Sequence, residues 1–331
     1  MYGGGFIFEE EATKKQVVEV QYDPELLANF EAKIDQGEKI EPHDWMPTEY
    51  HRQLSRMIEQ HAHSEIIGAL PEGTWITRAP TLKRKLALIA KVQDEIGHGQ
   101  LLYAAAETLG KPREQMMNEL LTGKAKYSNV FNYPAKTWAD IAVIGFLVDG
   151  GAIVNQLANA KGSYGPYTRA LKRICVEESF HLKQGHEAFV YLATGTKQQR
   201  DMLQDAMNRW YRPLIHFFGP PDVQSQHSDK LMRWKVKMAS NDDMRNQFLD
   251  QYIPKIQEVG ITLPDPNLRK NPDTGVWEFS DPDWDEFYRV IKGNGPCNAE
   301  RLAVRQWAEE AGRWVKDALL KPSEKYMVPL A

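Results

Sequence analysis

The chain has 331 residues, 42% hydrophobic and 26% charged, which is enough apolar material for a sizeable core and excludes global disorder. A formal net charge of −4 argues against nucleic acid as the main partner, because binding phosphates needs a clustered basic surface. Only two cysteines are present, Cys175 and Cys297, with no CxxC spacing, so two free thiols are expected rather than a disulfide framework or a thiolate metal site.

The opening MYGGGFIFEEEATKK has no basic stretch followed by a long apolar run and does not read as a secretory signal. No run approaches the roughly 18 apolar residues of a membrane span, so the expectation is a cytoplasmic protein that binds no membrane. The first 45 residues look irregular apart from a possible helix over 24–37. Met46-Pro47-Thr48-Glu49 has the proline and acid of a helix start, and 48–70 stays helical until Pro71-Glu72-Gly73 stops it. A second long helix begins at Thr81 and ends near Leu109-Gly110, and a short one follows over 112–121. The third long helix, very apolar, runs from 137 or 138 to 160, and Gly162 to Pro166 break it. The fourth covers 167–192 and a fifth 198–218, closed by Gly219-Pro220-Pro221. Residues 230–256 are helical in pattern but strongly charged. The stretch 260–298 is rich in proline and turn residues, with Trp277, Phe279, Trp284 and Phe287 as anchors. An amphipathic helix over about 299–320 closes the chain. No low-complexity linker interrupts this order. The expectation is one all-α domain over 1–331, a four-helix bundle at about 45–220 with additional helices and an extended, loop-rich C-terminal wrap at about 221–331.

Of nine histidines, only two follow a glutamate by three residues: Glu95-Ile96-Gly97-His98 and Glu178-Ser179-Phe180-His181. On a helix, residues i and i+3 share a face, so each pair can hold one metal ion. Glu65 lies 30 residues before Glu95 and Asp149 lies 29 before Glu178, each in the preceding helix. Two helical hairpins with matching spacing can pack as a pseudo-symmetric bundle that turns four carboxylates and two imidazoles inward. That is the ligand pattern of di-iron and di-manganese carboxylate bundles. Mixed oxygen and imidazole ligation suits iron or manganese, and two carboxylate-bridged ions can supply two electrons to O2. Asp149 sits in a long apolar run, where a carboxylate is costly to bury without a partner. Glu65, Glu95, Asp149 and Glu178 are therefore the candidate catalytic carboxylates, and the same four with His98 and His181 the candidate metal ligands.

Lys91, one turn before Glu95, and His61, four residues before Glu65, are candidates for support around the ligands. Gly150 and Gly151, beside Asp149, leave room either for close helix packing, for a small molecule, or for a helix bulge. Trp210, Tyr211, Phe217 and Phe218 fit a core better than a substrate mouth. The tract 230–237 fits a solvated helix face, with a phosphorylated ligand or a partner as the alternative. His63 and His186 fall off the ligand faces.

With these residues in place, the chain resembles the catalytic-subunit family of the bacterial phenylacetyl-CoA ring epoxidases, which are multicomponent oxygenases. The resemblance covers most of the chain. It is carried by Met46, Pro47 and Tyr50, by Gln60-His61-Ala62-His63-Ser64-Glu65, by Lys91-Val92-Gln93-Asp94-Glu95-Ile96-Gly97-His98, by Val148-Asp149-Gly150-Gly151-Ala152, and by Val176-Glu177-Glu178-Ser179-Phe180-His181. The resemblance implies a ferritin-like fold, two iron ions, O2 as co-substrate, and conversion of phenylacetyl-CoA to its ring 1,2-epoxide in aerobic phenylacetate breakdown. It also implies electrons from NADPH through the flavin and iron–sulfur centres of a separate reductase. The partners implied are small accessory subunits and a related metal-free structural subunit. The residues by themselves leave open a ferroxidase or iron-handling protein, a manganese catalase, and a non-catalytic structural subunit, although the intact six-residue set speaks against the last.

Overall fold

The computed structural model describes residues 21–224 and 228–320. The opening stretch read for a signal and the last eleven residues of the expected wrap lie outside them. A first helix, α1 (Pro24–Asp35), is capped by Asp23, whose side chain accepts from the backbone of Glu25 and Leu26. The bundle follows. It comprises α2 (Thr48–Gly73) and α3 (Leu82–Glu107), a short α4 (Arg113–Thr122), then α5 (Trp138–Asn159) and α6 (Gly165–Ala193). Thr81 caps α3 through its hydroxyl, and Thr137 forms a reciprocal capping box with Asp140 at the start of α5. Next come α7 (Lys197–Phe217), capped by Thr196 and Gln199, then α8 (Ser228–Arg233) and α9 (Asn241–Glu258). A two-stranded ribbon pairs β1 (Arg269–Lys270) antiparallel with β2 (Trp277–Glu278). The described part ends with α10 (Trp284–Arg289) and α11 (Asn298–Leu320).

α2 packs along α3 and α5 along α6, and the two hairpins meet where α3 contacts α6. α7 crosses α5 and α6 from outside, and α9 covers α5. One continuous apolar core runs from Phe30 to Val290 through all these layers. Trp210, Tyr211, Phe217 and Phe218 are buried in it. Length and composition alone would let α5 cross a bilayer, which corrects the expectation that no segment is so apolar, but most of it is buried at the centre of the bundle.

Two other expectations change. α2 does not stop at Pro71 but carries it in its last turn, to Gly73. A proline this near the end removes one helical hydrogen bond without displacing later turns. The charged stretch after residue 230 is two helices rather than one, separated where Lys235 adopts φ +50° and Ser240 starts α9 by capping Asp243. Nor is the tract a solvated face. Leu231, Trp234 and Val236 are buried, Lys230 pairs with Glu49 and Arg233 with Glu31.

The glycines of α5 serve close packing. A Cβ on Gly150 would lie 2.3 Å from the Tyr252 ring, and one on Gly151 would lie 3.1 Å from Phe217. The helix does contain a bulge, but earlier: Ile144–Val148 forms a π turn ending just before Asp149. Within it Gly145 touches α6 backbone to backbone, so a Cβ on Gly185 would fall 2.0 Å from the Gly145 carbonyl. Gly185→Ala is therefore expected to cost the upper end of the about 1–3 kcal/mol typical of overpacking, or more. Gly97→Ala has nothing within 4 Å and should gain up to about 1 kcal/mol in helix propensity. Thermal midpoints of the two variants, moving in opposite directions, are the check.

Candidate metal centre

The four bundle helices bring the candidate residues to one level. Glu65 comes from α2, Glu95 and His98 from α3, Asp149 from α5, and Glu178 and His181 from α6. All six are buried. Donor atoms of Glu65, Glu95, His98 and Glu178 lie within 4.8 Å of one another. His98 Nδ1 is 3.3 Å from Glu178 Oε1 and 3.7 Å from Glu95 Oε2. His181 Nδ1 is 3.4 Å from Glu178 Oε2 and 3.6 Å from Glu95 Oε1. Glu95 and Glu178 thus each turn one oxygen toward each imidazole.

Asp149 stands apart from that cluster. Its Oδ2 is 2.7 Å from the Lys91 ammonium, which also lies 2.8 Å from Glu72 and 3.7 Å from Glu95. Burial opposes the charge on Lys91, but Asp149, Glu72 and Glu95 around it hold its pKa well above the usual lysine value. Glu72 was missed in the sequence although it lies seven residues after Glu65, two turns along the same face. The apparent stop at Pro71 hid it.

The histidines are oriented from outside the cluster. His98 Nε2 is 2.9 Å from Glu177 on α6, and His181 Nε2 is 3.1 Å from Asp94 on α3. An ionised carboxylate only accepts, so each Nε2 carries a proton and each Nδ1 faces the cluster. The two bonds cross between the helices, since each acid immediately precedes the ExxH glutamate of its own helix. Acid-Glu-x-x-His is thus the fuller signal, and it was present in the sequence. His61 is the other support. Its Nε2 is 2.9 Å from Glu65 and its Nδ1 is 2.8 Å from the Tyr167 hydroxyl. Burial, with His98 nearby, lowers the His61 pKa to about 3, so the ring is neutral, with Nδ1 hydrogen-bonded to Tyr167 and Nε2 facing Glu65.

The donor set fits a metal pair. Both carboxylate oxygens of Glu178 and the Nδ1 atoms of His98 and His181 are buried and make no hydrogen bond, a costly arrangement without a cation. The donors are carboxylate and imidazole with no thiolate, the preference of iron or manganese. A second group of possible ligands, Glu59, His63 and Glu119, is already balanced by Lys111, which bonds both carboxylates. Beside the main cluster a cavity of about 210 Å³, lined by Leu88, Lys91, Asp94, Ile141, Phe180 and His181, opens to the surface.

Without metal, protons must balance these carboxylates. Burial disfavours the imidazolium ions, but the close Glu178 carboxylate, with Glu95 reinforcing it, outweighs burial and raises His98 to about 10 and His181 to about 9. Because these folded values lie above the roughly 6.5 of unfolded histidine, their stabilisation is complete below that pH and is lost as pH rises through 9 to 10. Chelator-treated protein should therefore show a thermal midpoint that falls across this alkaline window. The slope should flatten in His98→Gln and His181→Gln, as read by calorimetry at stepped pH.

Comparison with known proteins agrees with this geometry. The family model described as phenylacetic acid catabolic protein matches residues 19–314. The A subunit of 1,2-phenylacetyl-CoA epoxidase from Escherichia coli (strain K12) is 53% identical over 296 residues, spanning 89% of this chain and 96% of that protein. The bundle with its inward acid-Glu-x-x-His pairs is therefore a ferritin-like fold, and the chain belongs to the phenylacetic acid catabolic protein family.

Proposed function

We propose that this chain is the catalytic subunit of a multicomponent oxygenase that converts phenylacetyl-CoA to its ring 1,2-epoxide. The observation that carries the proposal is the buried cluster in which Glu95 and Glu178 each face both histidines, in a chain so close to a protein named for that activity. Glu65, Glu95, His98, Asp149, Glu178 and His181 would hold two iron ions. An iron pair bound there would supply the two-electron redox chemistry that O2-dependent epoxidation needs.

The chain's own residues do the rest. Glu177 and Asp94 hold the imidazoles in the tautomer that presents Nδ1. Tyr167 holds the His61 ring against the Glu65 carboxylate. Lys91 supplies a permanent cation next to Asp149. The apolar wall of α5 keeps water from the centre. The cavity beside His181 gives a small apolar molecule such as O2 a route inward.

The acyl-CoA substrate needs a site for its phosphates. A cavity of about 420 Å³ on the flank of α2 is lined by Arg56, Gln60, Lys124, Lys126 and Lys292, with the acids Glu59 and Glu119 also on its wall but bonded to Lys111, and Gln60 stands five residues before Glu65. We assign the nucleotide end of the thioester to this cationic cavity, with the acyl end directed along α2 toward the metals. Electrons come from NADPH by way of the flavin and iron–sulfur centres of a reductase, and the complex includes small accessory subunits and a related metal-free partner. The reaction takes place in the cytoplasm, consistent with the free thiols Cys175 and Cys297.

His98→Ala and His181→Ala should each lose most bound iron, measured by elemental analysis, and lose epoxide formation in the assembled complex, while circular dichroism stays helical. A variant that keeps its iron and turns over normally would end the proposal. Lys124→Glu with Lys126→Glu should raise KM for phenylacetyl-CoA by about tenfold or more at low salt, with kcat and iron content retained. An unchanged KM would remove the assignment of that cavity.

A further inference from the structure

Among the described residues, the C-terminal helix α11 is held to the body only at its root. Asn298 bonds Asn132, Arg301 bonds the Tyr133 carbonyl, and Arg305 and Gln306 bond the carbonyls of Leu120 and Leu121. Every residue from 306 to 319 is exposed. About 20 Å of helix therefore stands clear of the rest of the described chain.

That free stretch has one apolar face. Val304, Trp307, Ala311, Trp314 and Ala318 recur at alternating steps of three and four, with Ala308 and Val315 alongside. Trp307 and Trp314 are 71% and 72% exposed, and Leu319 is 81% exposed. A helix this short is marginal in water without tertiary contacts, and contiguous exposed apolar side chains mark a surface that something covers. The family match runs to residue 314, so most of the stripe belongs to the family's shared length.

The edges of the stripe decide what covers it. Glu310 and Asp317 border it on one side, Ala308 and Val315 on the other. Two copies packed antiparallel would set acidic edge against acidic edge. Two copies packed parallel would lay Glu310 and Asp317 over the Ala308 and Val315 of the other copy, with no counter-ion across the interface. Glu310 has Arg313 beside it on its own helix at 2.5 Å, three residues along.

We propose that α11 is a docking helix that inserts Trp307 and Trp314 into an apolar groove on a different chain of the oxygenase, whose rim carries lysine or arginine opposite Glu310 and Asp317. The groove has two indole pockets about 10.5 Å apart, two helical turns, and bulky side chains that fill the space over Ala311 and Ala318. The proposal rests on the multicomponent assembly described under the proposed function. Tryptophans in such positions dominate interface energies.

The test titrates the full-length chain with the other subunits of the same oxygenase, following sedimentation and amide exchange over residues 306–319. The chain alone should sediment as a monomer with fast exchange in this stretch, and the added subunits should protect it. Trp307→Glu with Trp314→Glu should weaken binding about 100-fold or more while leaving helical content and bound iron unchanged, and the pair Trp307→Phe with Trp314→Phe should retain most of the affinity. Binding that ignores the glutamates overturns the proposal. So does a wild-type chain that dimerises through this helix, or slow exchange in the isolated monomer, which would mean that the chain covers the face itself. If docking depends on both indoles but the assembled wild type does not act on phenylacetyl-CoA, the docking inference stands and the substrate assignment fails.

Discussion

The protein is organised around the cost of burying five carboxylates in the middle of a helical bundle. Glu65, Glu72, Glu95, Asp149 and Glu178 share an apolar interior with Lys91. Unbalanced, such a group would unfold the bundle or give up its charges. Lys91 answers for one side of the cluster, where it binds Asp149 and Glu72. On the other side the balance falls to the imidazoles or to a metal pair. The same arrangement fits the cluster for divalent cations, because proton and metal compete for the same lone pairs.

The surrounding structure keeps those lone pairs aimed. Each histidine is held from the opposite helix, so the α3–α6 contact and the orientation of both imidazoles are a single feature. His61 and Tyr167 do the same for Glu65 from the α2 side, with a ring kept neutral by its burial. Asp149 lies directly after a π turn, which shifts the register of α5 by one residue and so selects the face on which that carboxylate emerges. The second hairpin therefore matches the first in ligand level without repeating its helical geometry.

Much of this was legible from spacing. Periodicity and capping residues located the bundle helices to within a few positions, and two ExxH pairs at nearly equal distance from earlier acids picked out five residues that the fold gathers in one cluster and a sixth, Asp149, that it sets beside Lys91. What escaped had physical reasons. Glu72 lies behind a proline that usually ends a helix, yet here sits in a final turn where its missing N–H is harmless. Lys235 takes a left-handed conformation that its residue type does not announce, so two helices looked like one. Asp94 and Glu177 stood next to the motifs, but their role depends on the other hairpin, which local sequence does not reveal. Tyr167 meets His61 across 106 positions of chain and left no sequence signal.

The contact between Gly145 and Gly185 has a mechanical consequence. With backbone against backbone at that point, α5 cannot slide along α6 or rotate against it without a collision. Asp149 lies one turn beyond Gly145, and Glu178 two turns before Gly185. These two carboxylates are therefore mounted on a rigid half of the bundle, and any rearrangement between them must come from χ rotations about their own side-chain bonds. The opposite half joins α2 and α3 through side chains, as where Gly99 receives Ile66, and such contacts yield by rotamer changes. The two hairpins are thus closed differently at these points, one by glycine backbone against glycine backbone and the other chiefly by a side chain seated on a glycine.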